Sequence, residues 1–160
     1  MIKLYFCRTE DIEETLKEAL HPHICGNYAI SCGVYGKPYI EGNPVFFSIS
    51  HSGDEGVVLV SDKQCGVDLE VYKERKIDAL YSRLTSREKV EIQEDYKLFL
   101  KNWVAKEAYI KYLGGTVAWI KRLEYAGGVL YFDGKKADCN ISVDTYSDRA
   151  VYAVCTGDKK

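Results

Sequence analysis

Two acids spaced two residues apart open the chemical reading of this chain. In Gly66-Val67-Asp68-Leu69-Glu70 the surrounding residues are apolar and strand-forming. Side chains alternate along a strand, so Asp68 and Glu70 share one face while Val67, Leu69 and Val71 share the other. Two carboxylates side by side repel each other unless a cation lies between them, and Mg²⁺ accepts such oxygen donors. The plain alternative is a solvated strand face. For an isolated D-x-E that alternative prevails, because short motifs match by chance.

A second cluster is Trp103-Val104-Ala105-Lys106-Glu107-Ala108, followed by Lys111. Helical spacing sets Phe99, Trp103, Glu107 and Lys111 in one row. The row opens large and apolar, so Glu107 continues a buried stripe with a charge. A buried carboxylate costs several kcal/mol unless it is paired. A metal or a lysine would offset that cost. The alternative is a Glu107–Lys111 surface pair worth roughly 0.3–0.5 kcal/mol. In the third cluster, Phe47-Ser48-Ile49-Ser50-His51-Ser52-Gly53-Asp54, a strand ends in small polar residues. Ser50, His51 and Ser52 offer donors to an anion such as phosphate. No Gly-x-Ser-x-Gly elbow accompanies them, which argues against a nucleophilic serine.

Positioning these clusters requires strands at Ile2 to Cys7, Val45 to Ser50, Gly56 to Ser61 and Cys65 to Val71. Thr9 reads as the N-cap of a helix whose apolar face is Ile12, Leu16, Ala19 and Leu20. Residues 21 to 44 are rich in Gly and Pro and read as irregular. A short charged helix opens at Ser86, and a longer one runs from about Asp95 to Leu113, ending at Gly114-Gly115. Strands are expected over Val117 to Tyr125, Val129 to Phe132, Asn140 to Tyr146 and Ala150 to Cys155. Runs of strands with helices segregated in sequence indicate an α+β fold with antiparallel sheet. Each half holds a helix followed by about three strands, which suggests a duplicated plan.

The 160 residues suit one compact domain or two small fused halves, and a net charge of -2 argues against a general nucleic-acid binder. No segment reads as a membrane span, and the opening MIKLYFCRTEDIEE lacks the apolar run of a signal peptide. The six cysteines form no CxxC pair and read as reduced, buried thiols of a cytoplasmic protein. From Val71 to Arg122 there are twelve Lys/Arg against seven Asp/Glu, so this segment is positive within an acidic chain. It suits electrostatic docking of an acidic partner, with lysines for solubility as the alternative.

Together and in this order, the three clusters resemble the Sfp-type 4'-phosphopantetheinyl transferases of the holo-acyl-carrier-protein synthase superfamily. That family shows a Ser-His-Ser loop, then G-[IV]-D-[IV]-E, then W-x-x-K-E-A/S-x-x-K. Here these are Ser50-His51-Ser52, Gly66 to Glu70, and Trp103 to Lys111. Tyr35-Gly36-Lys37-Pro38 is similar to the family's Y-G-K-P segment, and Ser86-x-Glu88 fits its S-x-x-E region loosely. The resemblance covers about residues 35 to 155. It implies two pseudo-duplicated helix-plus-antiparallel-sheet halves, residues 1–66 and 67–160, with the site between them.

The implied activity moves the 4'-phosphopantetheine of coenzyme A onto a serine of an acyl or peptidyl carrier protein, releasing 3',5'-ADP. Asp68, Glu70 and Glu107 would hold Mg²⁺ or Mn²⁺. Lys37, Ser50, His51, Lys106 and Lys111 would contact coenzyme A, with Glu107 and Lys111 catalytic. The first half departs from the family, because residues 9 to 34 lack its basic stretch. A shortened N-terminal half and weak hold on the 3'-phosphate are expected. Two other readings stay open: an impaired coenzyme A- or carrier-binding module, and a metal-dependent phosphodiesterase or nuclease. The last is disfavoured because such sites place a lysine two residues after the second acid, where this chain has Tyr72.

Overall fold

The computed structural model describes residues 1–42, 45–73 and 78–157. Strand β1 (Ile2–Arg8) leads into helix α1 (Ile12–Leu20), and a small hairpin follows, β2 (Ile30–Cys32) and β3 (Pro38–Ile40). Next come β4 (Phe46–Ser52), β5 (Glu55–Ser61) and β6 (Cys65–Val71). A single turn α2 (Asp78–Tyr81) precedes α3 (Ser86–Ile92) and α4 (Tyr96–Leu113). The chain ends in β7 (Leu123–Ala126), β8 (Val129–Phe132), β9 (Lys135–Lys136), β10 (Asn140–Tyr146) and β11 (Ala150–Thr156). Every ladder is antiparallel, so the α+β expectation holds.

Two three-stranded sheets carry the architecture, ordered β1-β5-β4 and β6-β11-β10. In each, the last strand in sequence lies in the centre; α1 follows the first strand of one sheet, and α2, α3 and α4 follow that of the other. The packing runs helix, sheet, sheet, helix. Helix α1 buries Ile12, Leu16, Ala19 and Leu20 against Phe47, Val58 and Val60 of the first sheet. The opposite face of that sheet, through Val57 and Leu59, meets Val67, Leu69 and Val154 of the second. There Phe6 stacks on Tyr146, with ring centroids 4.0 Å apart. Helix α4 covers the outer face of the second sheet with Phe99, Val104 and Ala108 over Val151, Ala153 and Cys155.

Several local expectations need correction. Thr9 does not cap α1. Its hydroxyl donates to the Gly53 carbonyl at 2.8 Å, tying the strand end to the β4–β5 turn, and Asp11 stands at the N-cap. Residues 21 to 44 hold the β2–β3 ladder rather than irregular chain alone. Val117–Arg122 is a 3-10 helix, and strand structure begins only at Leu123. Cys25 and Cys32 are exposed, not buried, although all six cysteines are free thiols. Among the described residues, no helix is long and apolar enough to cross a membrane.

Gly66 explains the glycine of the acidic motif. A Cβ at this position would lie 2.1 Å from the Ala108 carbonyl oxygen and 2.3 Å from the Tyr112 nitrogen. Strand β6 therefore lies directly under the helix backbone, a close approach only glycine permits. Gly66→Ala is expected to cost about 3 kcal/mol, the upper end of overpacking penalties, because backbone cannot rotate away as a side chain can. Urea denaturation measures it, and a loss below about 1 kcal/mol would contradict the close approach.

Candidate active site

The face of β6 that carries Gly66 also carries Asp68 and Glu70, and it is turned toward α4. Val67, Leu69 and Val71 occupy the other face, between the sheets. Asp68 is 6% exposed. Lys111 reaches down from α4, and its Nζ lies 2.8 Å from Asp68 Oδ1 and 3.3 Å from the Ile49 carbonyl. Ser50 Oγ donates to the same Oδ1 at 2.9 Å, and Ser52 Oγ donates to Glu70 Oε2 at 2.6 Å.

Glu107 lies one helical turn before Lys111. Its carboxyl is pushed up to about 7, first by burial, then by the negative charge of Asp68, with Lys111 opposing and Glu70 adding to the rise. Like charges gathered in a half-buried place favour protonation. Asp68 and Lys111 thus pair where β6 passes under α4, and Glu107 on the helix feels the charge of Asp68 and Glu70. Asp68, Glu70 and Glu107 are hard oxygen donors of the type Mg²⁺ and Mn²⁺ take. Among the described residues no three His, Cys, Asp or Glu side chains are drawn to a common point. Asp68 instead is held by Lys111 and Ser50.

A cleft of about 420 Å³ opens beside this group, with Glu107, Lys111 and Ile49 in its wall. Tyr35 to Pro38 form one side and Gly114 to Val117 the other. Tyr35 packs edge-on against Trp119, centroids 5.6 Å apart, and Gly115 lies so close beneath the indole that a Cβ would sit 2.3 Å from it. Helix α4 stops at the cleft because Gly114 takes φ 68° as its C-cap.

The other site residues named from sequence fall in different places. Lys37 lines the cleft, but its ammonium donates to the Cys65 and Tyr112 carbonyls at 2.8 and 3.1 Å, and burial lowers its pKa. Ser50 is buried, with its hydroxyl engaged on β6, whereas His51 is exposed on the opposite face of β4. Lys106 does not reach the site. It is 1% exposed and its Nζ meets Glu88 Oε1 at 2.6 Å, about 100° around the helix from Glu107. Its role as a coenzyme A contact is therefore corrected to a structural one.

Sequence reasoning missed the weight of Glu88. Thr85 caps α3 with Glu88 as its reciprocal partner, a T-x-x-E capping box that was legible in sequence. The positive segment is also less free than its count suggests. Arg87 pairs with Glu91 and Glu124, Arg122 lies on Asp133, and Lys89 and Lys97 sit over the rings of Tyr81 and Tyr72. Arg75 and Lys76 lie outside the described residues.

The fold is an antiparallel α+β fold with acidic residues and a lysine where β6 passes under α4, and comparison with known proteins gives its family. The family model described as "4'-phosphopantetheinyl transferase superfamily" matches residues 64–155. Among curated proteins, the 4'-phosphopantetheinyl transferase psf-1 of Bacillus pumilus is 38% identical over 138 residues, 76% of this chain and 57% of that protein. The 4'-phosphopantetheinyl transferase AcpT of Escherichia coli O157:H7 is 35% identical over 96 residues, 54% of this chain and 49% of its own length. This chain belongs to the 4'-phosphopantetheinyl transferase superfamily. It spans about half the length of the curated relatives it matches.

Proposed function

We propose that this protein transfers the 4'-phosphopantetheine group of coenzyme A to a serine hydroxyl of an acyl or peptidyl carrier protein. The observation that carries the reading is the Lys111–Asp68 pair next to Glu107, with Glu107 and Lys111 lining an open cleft, in a chain of this family. The carrier serine oxygen forms a bond to the pantetheine-side phosphorus. The pyrophosphate P–O bond breaks, and 3',5'-ADP departs with the electron pair. Glu107, in its ionised form, accepts the hydroxyl proton. Lys111, already beside Asp68, offsets negative charge on the phosphate oxygens. Asp68, Glu70 and Glu107 would hold Mg²⁺ or Mn²⁺. When bound, such an ion neutralises pyrophosphate charge and makes the phosphorus more electrophilic.

We read the two sheets as duplicated halves, since each is an antiparallel three-stranded sheet with its last strand in the centre and a helix packed on its outer face. The division placed at 66/67 falls inside β6, so the turn at Asp62 to Gln64 is the better boundary. A cytoplasmic location belongs to the same proposal, in keeping with six free thiols.

A mass-shift assay with carrier protein, coenzyme A and Mg²⁺ tests the activity. Wild type should add one phosphopantetheine per carrier. Asp68→Ala and Glu70→Ala should each lower the rate at least about 100-fold with circular dichroism unchanged. An unmodified carrier with wild-type protein would overturn the transferase reading, and near-wild-type rates in either variant would overturn the site.

A further inference from the structure

Strands β4 and β6 lie side by side, yet among the described residues no backbone ladder joins them. Three serines of β4 stand in its place. Ser48, Ser50 and Ser52 share one face and are 4%, 5% and 6% exposed. Ser48 Oγ accepts the Val67 N–H at 3.0 Å. Ser50 Oγ accepts the Leu69 N–H at 3.2 Å and donates to Asp68 Oδ1 at 2.9 Å. Ser52 Oγ donates to Glu70 Oε2 at 2.6 Å. Along one strand the contacts thus pass from backbone alone, to backbone and carboxylate, to carboxylate.

We infer that Ser50 and Ser52 are positioning residues that aim the Asp68 and Glu70 carboxylates, while Ser48 only fastens the two sheets. The inference rests on the metal-assisted transfer proposed above. A carboxylate turns freely about its last torsion, a broad two-fold well. A hydrogen-bond donor fixed on one oxygen removes that freedom and orients the group for a cation, as outer partners of metal ligands do. Ser50 acts with Lys111, which takes the same Asp68 oxygen. The hydroxyl-bearing strand belongs to the first sheet and the acids to the second, so this clasp ties the geometry of the site to the seating of one half on the other.

The test is Mn²⁺ titration of the full chain without coenzyme A, read by the electron paramagnetic resonance of free Mn²⁺, together with thermal melts. Ser52→Ala and Ser50→Ala are expected to weaken Mn²⁺ binding about tenfold. Ser48→Ala should lower Tm with Mn²⁺ affinity unchanged. Ser52→Ala should add no further loss in a Glu70→Ala background, where the carboxylate it orients is gone. Equal Mn²⁺ affinity in Ser52→Ala and wild type, with binding lost in Asp68→Ala, would overturn the positioning role and leave the metal site standing. Equal affinity in wild type and Asp68→Ala would overturn both. Additive losses in the Ser52→Ala/Glu70→Ala pair would also reject the assignment, since they would show a purely structural effect.

Discussion

Glu88→Ala is expected to lower folding stability by about 3–5 kcal/mol, the range for removing one partner of a buried ion pair. Glu88 is fully buried, and four donors converge on its carboxylate. Oε1 receives the Lys106 ammonium at 2.6 Å, the Asn102 amide at 3.1 Å and the Tyr125 N–H at 2.8 Å. Oε2 receives the Thr85 N–H at 2.7 Å. These donors come from α4, from β7 and from the cap of α3, so one side chain joins three elements. Truncation leaves Lys106 as an uncompensated charge in a site that already lowers its pKa by burial. It also leaves backbone donors unpaired, each costing about 1–3 kcal/mol when buried. Glu88→Leu combined with Lys106→Met should lose much less than Glu88→Ala, because the desolvation penalty leaves with the charges. Urea denaturation distinguishes these outcomes. A Glu88→Ala loss under about 1 kcal/mol would remove the network from the account of stability.

The same network bears on the site, because Lys106 and Glu107 are neighbours on α4. Anchoring Lys106 to Glu88 sets the rotation of the helix, and that rotation presents Glu107 and Lys111 to β6. The lysine of the W-x-x-K-E motif faces α3, about 100° around the helix from the glutamate beside it.

Local patterns were legible where the cause is local. The alternation of Gly66 to Glu70 foretold a strand with both acids on one face, and Gly114 marked the end of α4, where its positive φ is observed. The apolar stripe of α1 foretold its buried face residue by residue. What sequence could not disclose depends on which elements meet. The row Phe99, Trp103, Glu107, Lys111 seemed the one leading inward. The adjacent row through Asn102 and Lys106 is the more buried, because α3 and β7 close over it. Ser50 read as a phosphate donor because nothing in its own stretch says that β6 lies within reach of its hydroxyl. Val117 to Arg122 reads as strand by composition, yet it winds into a 3-10 helix that brings Trp119 over Gly115.

Glu107→Gln is expected to reduce transfer by about 10²–10⁴-fold, the usual contribution of a positioned base, while raising the stability of the metal-free fold above pH 7. The two effects have one cause. The carboxyl is pushed up to about 7 in the folded chain, by burial first and then by Asp68. In the unfolded chain it titrates near 4.5, its unperturbed value. Between those two values the folded state holds a proton that the unfolded state has released. Stability from this group is therefore complete below about pH 4.5, and it is lost as pH rises through the folded value near 7. The expected penalty at pH 8 is on the order of 1–3 kcal/mol, reduced from the full shift because the group is half-buried. Glutamine is neutral at every pH and escapes it. In the presence of chelator, wild type should thus lose stability between pH 5 and pH 8 relative to Glu107→Gln. Added Mn²⁺ should reverse the order at pH 8, since a divalent cation prefers the ionised carboxylate and competes with the proton. Urea midpoints at the two pH values, with and without Mn²⁺, decide the matter. Parallel pH curves for the two proteins would mean that Glu107 bears no repulsion from Asp68 and Glu70, and the acidic trio would lose its claim to be one electrostatic unit.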